Sequence, residues 1–263
     1  MKSVYSKVID EHRSWLKPFG GQYLNKWEKL FKDQPEAAIC EAAARKLLGE
    51  HSIYVRPHED ISKGGPDFLC KKEGKKFYVE VTCITKETAT KKTKLDSEPQ
   101  INFNSPAKWY RPPIGQILQE IRNKTPQCKD LNEPCLLAIC TLHFGVGFIC
   151  FRDRIIAESV LTGTPHISWD IGLSSEEVLK EPRQATELKN SGFIRPRKNK
   201  PYSIEEARKT ISAVLLCDFG GHNIVGILHP NPNHSFDRTL LPEIKFCRLA
   251  NGWQTGRFSP EWI

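Results

Sequence analysis

The spacing of hydrophobic residues changes several times along the chain, and each change marks an element. Apolar positions in Val4 to Trp15 and in Tyr23 to Phe31 recur at helical spacing, with Pro18 and Gly20-Gly21 between them, which predicts two short amphipathic helices. Pro35 then stands near the first turn of a stronger helix from Glu36 to about Gly49, with Asp33 as its cap region. A strand is expected from Ser52 to Arg56. After Gly64-Gly65-Pro66 the period becomes two. Phe68, Cys70, Phe77, Val79 and Val81 share one face, and Asp67, Leu69, Tyr78, Glu80 and Thr82 share the other. A two-residue turn at Glu73-Gly74 pairs Lys72 with Lys75 and, continued, sets Asp67 opposite Glu80.

The segment from Thr85 to Tyr110 is polar and lysine-rich, so a long mobile loop is expected there. Pro112-Pro113 opens a helix that runs to about Lys124 and stops before Pro126, with Ile114, Ile117, Leu118 and Ile121 as its inward stripe. Cys135 to Thr141 is continuously apolar, as in a central strand buried on both faces. Beyond it the pattern predicts a strand over Gly147 to Phe151 and a helix over Arg154 to Leu161. Strands follow over Thr210 to Cys217, Asn223 to Leu228 and Ile244 to Leu249. Helix, strand, hairpin, helix, strand gives an α/β sandwich with a mixed sheet flanked by helices, extended by C-terminal strands. Residues 1–34 form an N-terminal helical segment on a 35–263 domain, which carries a polar insertion around 145–205.

Composition narrows the class. The chain has 263 residues, 39% hydrophobic and 27% charged, as in an ordinary globular protein. No apolar run approaches the roughly 20 residues of a membrane span, and Met1-Lys2-Ser3-Val4-Tyr5 lacks a signal-peptide core, so no membrane partner is expected. Nine scattered cysteines without a Cys-x-x-Cys pair suit a reducing, cytoplasmic compartment. The net charge of +8 favours a polyanionic partner such as nucleic acid. Lys86, Lys91, Lys92 and Lys94, and Arg195, Arg197, Lys198 and Lys200, are solvated loops or phosphate contacts.

Three acids carry the candidate chemistry. Opposed residues on antiparallel strands hold their Cβ atoms roughly 4.5–5.5 Å apart, so Asp67 and Glu80 repel unless a cation lies between them. The plain alternative is two incidental acids on a solvated face. Glu41 falls within the apolar stripe of its helix, where a carboxylate needs a basic partner or a metal. Lys124 continues the stripe of its own helix, either snorkelling to solvent or turning inward. Weaker groupings are His222, His229 and His234 as a metal site and Cys140 with His143 as a nucleophile pair.

Glu41 on a helix, Pro66-Asp67, Glu80-Val81-Thr82 in a hairpin, and then a helix and strand resemble the PD-(D/E)xK nuclease superfamily. The likeness spans roughly Pro35 to Thr141. It implies the restriction-endonuclease-like αβββαβ core, with Asp67, Glu80 and Glu41 binding Mg²⁺, or Mn²⁺ in its place. Thr82 stands where that family usually carries lysine. Some members move the basic residue to the next helix, where Lys124 stands, and Lys86 is the other candidate. The resemblance implies metal-assisted phosphodiester hydrolysis in nucleic acid, DNA before RNA, with Asp67, Glu80, Lys124 and Thr82 at the reacting centre. Lys86, Lys91, Lys92 and Arg111 would contact the phosphates. The alternative is a nuclease-fold binding module that has lost catalysis.

Overall fold

The structure is a computed structural model that describes residues 2–58, 64–98, 112–152, 154–168, 183–187, 191–196, 204–221, 223–251, 253–255 and 258–263. Three helices open the chain: α1 (Lys2–Leu16), α2 (Gly21–Asp33) and α3 (Pro35–Glu50). β1 (Tyr54–Pro57), β2 (Phe68–Lys72) and β3 (Lys75–Ile84) follow, then α4 (Lys86–Thr93), α5 (Ile114–Lys124) and β4 (Cys135–Thr141). A π-helical turn, Val146–Phe151, leads into α6 (Arg154–Thr162). Two small hairpin-like pairs come next: β5 (Thr164–Ser168) with β6 (Arg183–Glu187), and β7 (Ile194–Pro196) with β8 (Ile204–Glu206). The chain closes with β9 (Ala213–Asp218), β10 (Asn223–Leu228), β11 (Lys245–Leu249) and β12 (Pro260–Trp262).

Eight strands form one mixed sheet in the order β1-β2-β3-β4-β9-β10-β11-β12. The centre, β3-β4-β9, is parallel, and every residue of β4 is buried. That matches the near-continuous apolar run expected of a parallel strand covered on both faces. On one face α1, α2 and α3 share a core with Phe68, Phe77, Leu136 and Phe246. On the other, α5, α6 and the π turn pack Ile117, Ile121, Phe151 and Val160 against Leu137 and Ile139. The face carrying Tyr78 and Glu80 is therefore buried as well, so it is not the solvated outer face of the plain alternative.

The hairpin takes the register read from its turn as far as Phe68–Val79, where the ladder stops one pair short of the expected Asp67–Glu80 pairing. Glu73 (φ 51°) and Gly74 (φ 78°) both adopt positive φ, the two-residue geometry that matches strand twist, and Lys72 pairs with Lys75. Other expectations are corrected. The expected loop after Thr85 contains α4, started by the Thr85 hydroxyl accepting the Thr88 N–H at 3.3 Å. Ala89 and Thr93 are its buried residues, too few to mark a helical period. The expected strand at Gly147 is the π turn. Its start is held by the Val146 N–H donating to His143 Nδ1 (3.1 Å), and a Cβ at Gly147 would collide with Asp218. Ser52 (φ 58°) lies in a turn, so β1 begins at Tyr54. Asp33 ends α2, and Gln34 holds the cap position of α3 without a side-chain bond. Glu36 accepts the Lys86 main-chain N–H at 2.8 Å, so it joins α3 to the start of α4.

Cys83, Cys140 and Cys217 sit side by side on β3, β4 and β9, and Cys40 on α3 donates to Cys83 Sγ at 3.4 Å. All nine cysteines are free thiols. Burial first, then the adjacent sulfurs, push the Cys140 thiol upward, so it stays neutral.

Candidate active site

β3 is ten residues long and β2 only five, so β2 ends at the Phe68–Val79 pair while β3 continues. Among the described residues, no strand pairs with the β2 side of Glu80–Ile84. Asp67 lies immediately past the end of β2 and fills the gap: its Oδ2 accepts the Val81 N–H at 2.7 Å. The N–H and C=O of a strand residue point to the same edge, so the Val81 carbonyl faces this opening too. The side chain of Asp67 is half-buried; Glu80 is 2% exposed.

α5 crosses the Glu80 face of β3. Its residues Gln116, Glu120 and Lys124, four apart, stand in one row. Lys124 Nζ donates to Glu80 Oε1 at 2.6 Å. The Thr82 hydroxyl donates to Glu120 Oε2 at 2.8 Å, and Gln116 Nε2 donates to Glu120 Oε1 at 2.6 Å. Burial pulls the Lys124 ammonium down, but Glu80, Asp67 and Glu120 outweigh it and the net shift is upward. Lys124 therefore keeps its proton. Three carboxylates act on this one ammonium, which leaves an excess of negative charge.

A cleft of about 420 Å³ opens on this edge, with α2 as the opposite wall. Glu41, Asp67, Thr82 and Lys124 all line it, as do Tyr23, Lys26 and Lys29. Glu41 reaches it from α3, on the other side of β3, and its carboxylate lies 3.7 Å from the buried His12 ring, with no lysine or arginine paired to it among the described residues. Glu80 is not among the lining residues and lies beneath Lys124. Among the described residues, no three His, Cys, Asp or Glu side chains group closely enough to hold a metal by themselves.

The other predicted residues fall elsewhere. Lys86 reaches Glu98 at 2.6 Å, Lys91 and Lys92 are exposed on α4, and none of the three lines the cleft. Arg111, Arg197, Lys198, Lys200 and His222 lie outside the described residues. His229 is a buried neutral ring: its Nδ1 accepts the Asn231 N–H (3.0 Å) and its Nε2 faces the Ala207 carbonyl (2.8 Å), whereas His234 is exposed. Burial pushes His229 down to about 4. His143 meets Thr90 and the Val146 N–H, so no Cys140–His143 pair forms. Glu120 was not singled out in the sequence, although its place four residues before Lys124 was the available signal.

Comparison of the chain with protein-family models, with curated proteins and with solved structures finds no match. No helix among the described residues is long and apolar enough to cross a membrane.

Proposed function

We propose that the chain is a Mg²⁺-dependent phosphodiesterase acting on nucleic acid, DNA before RNA, with a restriction-endonuclease-like core. The observation that carries this reading is the Lys124–Glu80 contact at 2.6 Å beside Asp67, on the strand edge that β2 leaves open. A lysine from α5 thus stands beside the acid pair, while Thr82 serves only as a hydrogen-bond donor to Glu120.

The donor chemistry suits a hard cation. Mg²⁺ is usually held by one or two carboxylates, with water and substrate phosphate completing its shell, so a three-acid cluster is not required. Asp67, Glu80 and the Val81 carbonyl would hold it, with Glu41 and Glu120 at the margin of the site. When bound, Mg²⁺ supplies Lewis-acid polarisation of a phosphate oxygen and a more acidic water. The chain's own residues do the rest. Lys124 stays protonated and faces the negative charge that builds on the phosphoryl oxygens. Asp67 keeps its carboxylate oriented through the Val81 N–H. Thr82 and Gln116 hold Glu120 on the α5 side.

Cleavage of DNA in Mg²⁺ tests the reading, with Asp67→Ala and Glu80→Ala as inactive controls and Lys124→Arg retaining partial activity. Nucleic-acid binding without cleavage in Mg²⁺ or Mn²⁺ would instead support a binding module that has lost catalysis. One observation favours that second reading: among the described residues, no three His, Cys, Asp or Glu side chains group closely enough to hold a metal.

A further inference from the structure

The cleft bears on which form of nucleic acid reaches the acids. On α2, Tyr23, Lys26 and Leu30 follow helical spacing along the lining face, and Lys29 flanks them. Lys26 and Lys29 are exposed and Tyr23 is half-buried. Across the opening lie Asp67, Lys124 and the β3 edge, with Glu80 set below. At about 420 Å³ the cleft has the volume of a small-ligand pocket, enough to enclose part of one strand and not a duplex. A duplex therefore meets only the rim. Its bases stay stacked, away from Tyr23. A single strand can thread the space, with phosphates and unstacked bases reaching different walls.

We infer that the substrate enters as a single strand, with its phosphates on Lys26 and Lys29 and a base against the Tyr23 ring. This rests on the phosphodiesterase reading above and narrows it. Stacking on an aromatic ring accepts any base, and ammonium groups accept any phosphate. The cleft therefore selects strand form and not base sequence. Asp33 and Glu41 also line the cleft and repel phosphate when no cation is bound, so without metal the backbone is held at the Tyr23–Lys29 stretch of α2. The N-terminal helical segment is then part of the binding site.

Fluorescence anisotropy with the full chain in EDTA tests this, using labelled deoxy and ribo oligonucleotides and their blunt duplexes. The expected result is that a strand binds about tenfold or more tightly than its duplex, and the tighter strand names the sugar. Charge reversal by K26E with K29E lowers strand binding about tenfold or more. Tyr23→Ala lowers it about fivefold or more, and Tyr23→Phe, which keeps the ring, does not. Equal binding of strand and duplex overturns the inference, as does unchanged binding after the charge reversal with a native circular-dichroism spectrum. Strand binding as expected, with no cleavage of strand or duplex in Mg²⁺, leaves the inference standing and removes the hydrolytic reading. Duplex nicked in Mg²⁺ as fast as the strand is cut does the reverse.

Discussion

Glu80 and Asp218 are both carboxylates buried in the same sheet, and the chain satisfies them in opposite ways. Asp218 ends β9 and is fully buried. It accepts the Gly220 and Gly221 N–H groups at 2.9 Å each and the Asn223 amide at 3.3 Å. A Cβ at Gly147 or Gly221 would run into it, so no space remains for a ligand. Glu80 instead meets a full positive charge from a lysine that itself lines a cleft. Oriented main-chain dipoles suit an acid that shapes a turn. An ammonium that borders open space suits an acid that takes part in chemistry. His229 is a third solution, an ionisable ring kept neutral. Burial of an ionisable group thus does not mark a site; its partners and the space beside it do.

The sharpest break of this comparison is catalytic. Asp67→Ala or Glu80→Ala should lower DNA cleavage by about 10²–10³-fold, while Asp218→Asn leaves the rate per folded molecule unchanged; a gel-based cleavage assay normalised to folded protein reads both. Next in size is the ion pair. Lys124→Met should cost about 3 kcal/mol, at the low end for a broken buried pair because the Lys124 side chain keeps 22% exposure. Adding Glu80→Gln should recover most of that loss in urea unfolding, as a double-mutant cycle would register.

The third test is acid. An unfolded histidine takes up a proton near its ordinary 6.5, whereas His229 resists until about 4. Its contribution is therefore fully present above pH 6.5 and lost as pH falls toward 4, by about 2–3 kcal/mol. His229→Gln should flatten the fall in the urea midpoint over that range. A smaller effect is expected from Asp218→Asn, which turns an amide NH₂ toward Asn223 and costs about 1–2 kcal/mol in thermal melts. Thr82→Val should cost least, about 1 kcal/mol, by removing the hydroxyl from Glu120.

Local rules were legible where they acted alone. The Glu73-Gly74 turn and the alternation beside it led directly to the observed ladder. The α5 stripe led to Lys124, because Ile117, Leu118 and Ile121 are buried and the next turn must face the same strand. Contacts between distant segments were not legible. Glu36 with Lys86, Glu41 with His12, and Thr82 with Glu120 each join elements whose mutual placement no local period encodes. α4 hid because polar residues dominate it, and the π turn hid because Phe148 and Ile149 extend an apolar run outward. β12 was missed for a different reason: three residues carry no measurable alternation.

The parallel pairing of β4 with β9 bridges about 70 residues of intervening chain. At roughly 5–20 residues per second, the ribosome needs about 4–14 s to make that stretch. Through that interval Cys-Leu-Leu-Ala-Ile-Cys-Thr has an open hydrogen-bonding edge with no partner yet synthesised. Nascent chains of this protein therefore expose that edge midway through translation, until β9 is made.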